Sequence, residues 1–440
     1  MKRLLLPLLP AIMLFPSTLL ALDLGVNGTT IVRYEERSVP GFDKKTMVPA
    51  TQYLGVDVGK AADGHLSFHM YGWGRVDGAD QSTPRDSSDT ALSYGYLDYQ
   101  SPKGNAEVKV GRQYLYEGGV VEQLDGISAR SDLFQQYEGF ALSAFAGKPV
   151  KTDRVDDHKG DLLAGGRLSY RVAGVTEMGL FLTHENGAAA YQYDKSTNSA
   201  TLVKDNREQA GFDVLYTLNR LVELNGRSLY NLSLKEFAEH SYVITVKPVA
   251  GLSLSGSYNQ HQFKGYFASA SNPFLFKPYD ADEEASYSGS ASYALNTATE
   301  LTADYTYYDR KTKGTSARLG LGGRFTLLGG KLKTGLDYHR LNSAKGMNSY
   351  HEARGFALYD PGRYYASLDA IAQRYDDPLP YLNTSKIAYE ITASSGYRLK
   401  PWLLLSGDLS AGANPQYGDQ VKGLLRLTFA YTTTTGGVGR

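Results

Sequence analysis

The segment ASYSGSASYALNTATELTADYTYYDR (residues 285–310) alternates two kinds of side chain along most of its length. One set contains small residues, leucines and tyrosines, and the other contains serines, threonines and Asp304. A period of two predicts β-strands with side chains on opposite faces, and Asn296-Thr297 predicts a tight turn between two strands. The core of a soluble sheet is built from larger aliphatic residues. The face of small residues, leucines and tyrosines therefore indicates contact with an apolar environment other than a protein core.

The same unit recurs along the chain, as segments of about ten alternating residues separated by turn signals. Short turns are predicted at Ala173-Gly174, Asn225-Gly226, Gly329-Gly330 and Pro361-Gly362. Longer polar connections, such as residues 185–208, 262–284 and 376–384, alternate with these turns. Residues 234–240 could form a short helical turn, and residues 367–375 are ambiguous between helix and strand.

Short turns that alternate with longer loops are typical of a transmembrane β-barrel. The sequence therefore predicts an all-β fold, a single antiparallel up-and-down barrel of about 22 strands, with a range of roughly 18 to 22. Short turns would face the periplasm and longer loops the exterior. An even strand number is expected for a single bacterial chain.

The N-terminus predicts secretion, and the rest of the chain divides into a barrel and a tail. Lys2 and Arg3 precede an apolar run interrupted by prolines, so residues 1–21 read as a signal peptide and only secondarily as a membrane-anchoring helix. Residues 22–431 would form the barrel and residues 432–440 a flexible tail after the terminal aromatic Tyr431. The predicted location is the Gram-negative outer membrane, crossed many times, in contact with lipid and lipopolysaccharide.

Composition excludes several classes of function. The formal net charge is zero, which predicts no nucleic-acid partner. Cysteine is absent, so the chain has no disulfide and no CxxCH haem attachment. GxSxG, HExxH and Walker motifs are also absent. The chain is therefore predicted to be neither an enzyme nor the holder of a cofactor or metal.

Charged side chains within the strands should face the lumen, because a charge facing lipid at mid-depth costs roughly 2–4 kcal/mol. Leu425, Leu427, Phe429 and Tyr431 form one outward set. Among the predicted inward residues, basic side chains outnumber acidic ones, which favours a weak preference for anions. The alternative is that opposite charges pair and leave no net field. The basic lumen candidates are Arg130, Arg167, Arg171, Arg318, Arg324, Lys331, Lys333 and Arg426.

The segment VGRQYLYEGGVVEQLDGISARSDL (residues 110–133) contains a GRQ…LDG pattern around a Gly-Gly pair. It resembles the pattern of porin-like outer-membrane proteins, in which the intervening loop lies near the constriction. That resemblance implies Arg112, Glu117, Glu122 and Asp125 as constriction residues. The alternative is a tight external loop with solvated charges.

These features predict a channel for diffusion of small polar solutes or ions, including anionic solutes. In length and loop style the chain is also similar to the barrel components of porin–cytochrome electron conduits. That resemblance implies a sheath around a separate multihaem c-type cytochrome. A secreted or surface β-solenoid is a third possibility.

Overall fold

A computed structural model describes residues 23–37, 44–61, 64–81, 86–133, 138–150, 160–194, 199–262, 283–311, 314–344, 348–378, 386–415 and 418–434. Within these ranges the chain forms one 23-stranded sheet. The strands of the first half are β1 Asp23–Arg37, β2 Lys45–Met47, β3 Pro49–Ala61, β4 Leu66–Asp77, β5 Ser88–Gln100, β6 Ala106–Glu117, β7 Val120–Asp132, β8 Gly139–Pro149, β9 Leu162–Val172, β10 Thr176–Asp194, β11 Ser199–Leu218 and β12 Val222–Asn231. Those of the second half are β13 Glu236–Val249, β14 Leu252–Gln262, β15 Glu283–Asn296, β16 Thr299–Arg310, β17 Gly314–Leu327, β18 Leu332–Asn342, β19 Tyr350–Tyr359, β20 Tyr364–Tyr375, β21 Ile387–Lys400, β22 Leu403–Asn414 and β23 Gly418–Thr434.

The sheet closes on itself. β1 pairs antiparallel with β23, from Asp23 opposite Thr434 to Glu35 opposite Lys422, and pairs with β3 along its other edge. The short strand β2 lies in the connection between β1 and β3 and pairs with the far end of β1. The result is a closed barrel of 22 antiparallel strands plus one extra strand, as predicted. Closure pairs the backbone groups within the sheet, which a lipid environment requires.

Alternating exposure separates an outer face from an inner one. On β10, Leu180 and Leu182 are each 62% exposed, whereas Phe181 between them is 4% exposed. On β15 and β16, Tyr287, Tyr293 and Tyr305 also lie on the exposed outer face. These residues face lipid, so the predicted two faces of the opening segment are confirmed, and the turn at Asn296-Thr297 joins its two strands.

One predicted turn is wrong. Asn225 and Gly226 lie inside β12. Gly226 is required there because the ring of Tyr242 occupies the space that a Cβ would take. The actual turn follows β11, where Asn219 and Arg220 adopt φ values of 46° and 60° without glycine. Asparagine tolerates this left-handed region, which the reversal between strands requires.

Four other local predictions are altered or resolved. Strand β13 begins at Glu236, so residues 234–240 do not form a helical turn. The predicted long loop at residues 185–208 is largely strand, because β10 and β11 continue pairing as far as Asp194 and Ser199. Residues 367–375 belong to strand β20, and β23 continues past Tyr431 to Thr434.

The predicted signal peptide and most of the predicted tail lie outside the described residues. In the described ranges, no helix has the length and apolar character needed to cross a membrane.

Candidate functional site

One hairpin leaves the barrel wall. β6 pairs with β5 only up to Arg112, and β7 pairs with β8 only from Leu124 onward. Between these points, residues 114–123 pair with each other across a turn at Gly118 and Gly119, and Gln113 pairs with Leu124. We call residues 113–123 the inner hairpin. The external half of the wall between β5 and β8 is thus interrupted, and the hairpin is free to fold across the lumen.

Two glycines allow the hairpin to bend away from the wall. Gly111 and Gly126 are cross-strand partners. Gly111 has a φ of 131°, and a Cβ at this position would overlap with the carbonyl oxygen of Gly95. A Cβ on Gly126 would overlap with the carbonyl oxygen of Ala146. Only glycine fits at both places, since the neighbouring backbones approach closely and Gly111 needs a conformation that other residues avoid.

The next cross-strand pair fixes the base of the hairpin. Arg112 donates from Nε and Nη2 to the two carboxylate oxygens of Asp125, at 2.7 Å each. Its Nη1 also donates to the carbonyl oxygen of Leu92 on β5, at 3.1 Å. This fork-like geometry holds both strands of the hairpin in one orientation, because two parallel charge-assisted bonds resist rotation.

The third pair, Gln113 and Leu124, is buried. Gln113 Oε1 accepts a 2.6 Å hydrogen bond from Ser128 Oγ, and its Nε2 donates to the carbonyl of Lys109 at 3.3 Å. The GRQ and LDG triplets therefore form three successive pairs. They supply the bend, the ion pair and the buried anchor of a hairpin.

One face of the inner hairpin packs on the inner wall. Leu115, Val120 and Leu124 form a buried cluster with Phe145 of β8 and Leu163 of β9. Burial of a side chain of this kind stabilises by about 1.5–3 kcal/mol. Five such residues in contact are enough to hold the hairpin against the wall rather than leave it in the external solvent.

The tip of the hairpin reaches further around the barrel. A Cβ on Gly119 would lie 2.7 Å from Cζ of Phe181 on β10 and would overlap with Leu229 on β12. Phe181 and Leu229 belong to a second buried cluster with Ala238 of β13. Because Phe181 points inward, the tip lies in the lumen. The inner hairpin therefore covers the arc of wall from β8 to β12.

Polar contacts accompany this packing. Ser143 Oγ of β8 donates a 2.8 Å hydrogen bond to Glu117. Glu122 is buried and interacts electrostatically with the buried Arg207 of β11, as does Glu185. Gln123 donates to the carbonyl oxygen of Ser93 on β5. The four residues that the resemblance implied thus lie on or at the base of the inner hairpin, but Glu117 and Glu122 face the wall.

The opposite face of the hairpin carries tyrosines. Tyr116 is 73% exposed, and Tyr114 stacks with it at 6.4 Å between ring centroids. These two rings line the part of the lumen that the hairpin leaves open. Neither these rings nor the apolar anchor was predicted from the sequence. The alternation of Leu115 and Glu117 with Tyr114 and Tyr116 was the available signal.

The other basic candidates are distributed around the wall and paired. Arg167 of β9 bonds to Glu177 at 2.8 Å and to Asp213 at 2.9 Å, and Arg171 lies 2.7 Å from Glu177. The remaining arginine pairs are Arg130 with Asp132 at 3.7 Å, Arg318 with Asp304 at 3.6 Å, Arg324 with Asp337 at 2.7 Å and Arg426 with Asp408 at 3.5 Å. Lys331 follows a short 3-10 turn at the periplasmic end, and Lys333 lies close to it on β18. The candidates therefore form no single basic cluster.

A hydrogen-bonded chain lies on the inner wall at β3 and β4. His69 Nδ1 is 2.6 Å from Asp57, and its Nε2 is 2.8 Å from Ser67 Oγ. Asp57, His69 and Ser67 are linked in the order of a hydrolase triad. However, Asp98 is the cross-strand partner of Ser67, and its carboxylate would repel the negative charge that develops on a substrate oxygen during such a reaction. We interpret these two hydrogen bonds as contacts that fix the orientation of the His69 ring. Among the residues that the structure describes, no group of three metal-ligating side chains occurs.

Comparison with known proteins identifies the fold. No protein-family model and no curated protein matches the chain. A mutant of the ferric enterobactin receptor PfeA from Pseudomonas aeruginosa is 10% identical with a TM-score of 0.57, covering 92% of this chain and 80% of that one.

Two further structures are similar with lower scores. OccAB4 from Acinetobacter baumannii is 9% identical with a TM-score of 0.47, covering 95% of this chain and 100% of its own. OpdK from Pseudomonas aeruginosa, in its structure with vanillate, is 11% identical with a TM-score of 0.42, covering 93% and 99%.

The similarity to PfeA is one of fold, that of a large closed β-barrel. A barrel of this kind places the chain in the outer membrane of a Gram-negative bacterium, as a multi-pass protein in contact with lipid.

Proposed function

We propose that the protein is an outer-membrane channel for diffusion of small polar solutes. The observation that supports this most directly is the inner hairpin, which narrows a wide barrel from one side. Barrels of about 22 strands leave a lumen too wide for selective passage unless something occupies it. Here one hairpin is anchored on the arc from β8 to β12 and presents Tyr114 and Tyr116 to the remaining space.

The charge pairing argues for weak charge selectivity. Each arginine among the lumen candidates lies within 4 Å of a carboxylate, so its field is largely cancelled nearby. Lys331 and Lys333, at the periplasmic end, are the candidates that could still favour anions. We therefore propose a channel with at most a slight anion preference, in which both lysines carry that preference.

The alternative of an electron-conduit sheath has less support. A multihaem cytochrome would have to occupy the lumen that the inner hairpin enters. Displacing the hairpin would expose Leu115, Val120 and Leu124, whose burial stabilises it. Purification from native membranes followed by haem staining tests this alternative, and we expect no stained partner in stoichiometric amount.

Planar-bilayer recording of the purified protein tests the channel function. We expect discrete conductance steps, and larger steps when residues 113–123 are replaced by a short Asn-Gly turn. The reversal potential in a salt gradient should lie close to zero, and Lys331→Gln with Lys333→Gln should remove any anion bias. Absence of conductance in both proteins would contradict the proposal.

A further inference from the structure

Four tyrosines on strands β3, β4 and β5 form a row of neighbouring aromatic rings. We call Tyr53, Tyr71, Tyr94 and Tyr96 the tyrosine cluster. Ring centroids are 6.3 Å apart for Tyr53 and Tyr71, 5.7 Å for Tyr71 and Tyr94, and 5.9 Å for Tyr94 and Tyr96. The imidazole of His69 extends the cluster, stacked 5.2 Å from the ring of Tyr96.

Strand alternation places this cluster in the lumen. On β5, Leu97 and Tyr99 are on the exposed lipid face, so Tyr94 and Tyr96, at the alternate positions, point inward. Tyr71 is the cross-strand partner of both Tyr94 and Gly55. The inner hairpin leans away from these strands towards β10–β12, so the cluster lies on a stretch of inner wall that the hairpin does not cover.

The hydroxyl groups of the cluster are available for a ligand. All four side chains are half-buried, and their hydroxyls make no hydrogen bond to another described residue. Other tyrosines of the barrel do find such partners: the hydroxyl of Tyr258 donates to Gln260 and that of Tyr375 donates to Gln373. A half-buried aromatic wall with free hydroxyls has the apolar surface and the polar tips that small-molecule sites combine.

The wall across the lumen is lined by hydroxyl groups. In the ring of 22 strands, β4 is third and β15 is fourteenth, which is half a turn apart. The inward residues of β14 and β15 are mostly serines, and those of β16 include Thr302, Thr306 and, between them, Asp304, which is paired with Arg318 at 3.6 Å. The serine and threonine side chains are neutral and both donate and accept hydrogen bonds.

We propose, on the basis of the channel function above, that the tyrosine cluster is a binding site for neutral polyhydroxylated solutes, that is, sugars. A sugar ring has C–H groups on its faces, which pack on aromatic rings, and hydroxyls around its rim. The rim can bond the tyrosine hydroxyls and the carboxylate of Asp57, which lies beside the cluster and is 44% exposed. A charged solute gains little here, because the cation beside the cluster, Lys109 at 5.9 Å from the ring centroid of Tyr96, is paired with Glu107 at 3.0 Å.

Current block by an added sugar tests the site. Maltose and maltotriose, applied to single channels in a planar bilayer, should block the ion current reversibly and with saturation. The double variant Tyr71→Ala, Tyr94→Ala should raise the half-blocking concentration about tenfold, the equivalent of about 1.4 kcal/mol. Tyr305→Ala, which removes a tyrosine from the lipid face, is the matched control and should leave the block unchanged.

A binding measurement keeps the site testable without conduction. The chain has two tryptophans, and Trp73 is the cross-strand partner of Tyr53. In a Trp402→Phe background, maltotriose should change the Trp73 emission in detergent micelles, and the Tyr71/Tyr94 double variant should lose that change.

The outcomes separate the two proposals. Steady conductance without sugar block, or block that the double variant retains, would overturn the sugar site and leave the channel. Passage of gluconate in preference to glucose would overturn it as well. Absence of conductance together with a saturable Trp73 response would overturn the channel and support the site.

Discussion

At the scale of single residues, the structure explains why particular charges are tolerated inside the barrel. Arg167 is 8% exposed and is shared between Glu177 and Asp213. Arg354 makes a similar pair with Asp369, but both of those side chains are largely exposed. A buried charge depends on its partners far more than an exposed one, because water cannot replace them.

Arg167→Met should therefore destabilise the barrel by about 3–5 kcal/mol, since the mostly buried Asp213 loses its partner and Glu177 keeps only Arg171. Arg354→Met should change stability by less than about 1 kcal/mol. Urea unfolding in lipid vesicles, followed by tryptophan fluorescence, measures both. Equal effects of the two substitutions would contradict the role assigned to burial.

Gly119 is a second residue with a specific prediction. Its missing side chain lets the hairpin tip touch Phe181 and Leu229. Gly119→Ala should cost about 1–3 kcal/mol of hairpin anchoring, because the added methyl overpacks this contact. We expect noisier single-channel currents with more open excursions. Gly289→Ala is the control, because nothing lies within 4 Å of its added Cβ, and it should record like the parent protein.

At the scale of elements, the inner hairpin is held by different contacts at its base, its middle and its tip. Its base is held by the Arg112–Asp125 ion pair and the buried Gln113, its middle by apolar packing and its tip by contact with β10 and β12. These contacts come from strands far apart in the ring. A covalent crosslink between the tip and a distant strand can therefore test whether the hairpin lies in the lumen.

An engineered disulfide between the tip and β12 provides that link. The natural chain has no cysteine, so Gly119→Cys with Leu229→Cys gives the only thiols. We expect oxidation to join them and to reduce current noise, with reversal by a reductant. Gly119→Cys with Ser255→Cys on β14 should remain reduced. Failure of the first pair, with efficient crosslinking of the second, would show that the tip lies elsewhere.

At the scale of the whole molecule, closure between β1 and β23 is the decisive contact. Every other strand of the ring pairs with its neighbours in sequence, whereas this seam joins the two ends of the described chain. An unclosed edge would leave unpaired backbone groups in lipid, where no water can satisfy them.

Leu427→Pro should prevent closure, because Leu427 lies in the seam opposite Thr30 and proline has no N–H to donate. The parent protein should migrate faster on a gel before boiling than after it, and this shift should be absent in the proline variant. Leu427→Ala keeps the backbone bonds and should retain the shift. A proline variant that still shows the shift would indicate that the seam is dispensable.

The sequence determined the barrel, because its information is local. Period-two alternation, as in Leu425, Leu427 and Tyr431, reports the lipid face strand by strand, and Gly or Pro marks many of the turns. The failure at Asn225-Gly226 has the same origin: a local signal for a turn cannot be distinguished from a glycine required by the ring of Tyr242 on the next strand.

The site depended on contacts that no local pattern contains. The GRQ…LDG resemblance pointed to this hairpin, and its residues Arg112 and Asp125 form the hairpin's base. Its position in the lumen is decided by Gly119 meeting Phe181 and Leu229, and the pairing of Arg167 by Asp213 on β11. Alternation decides which way a side chain points, but only closure of the ring decides which distant side chains it meets.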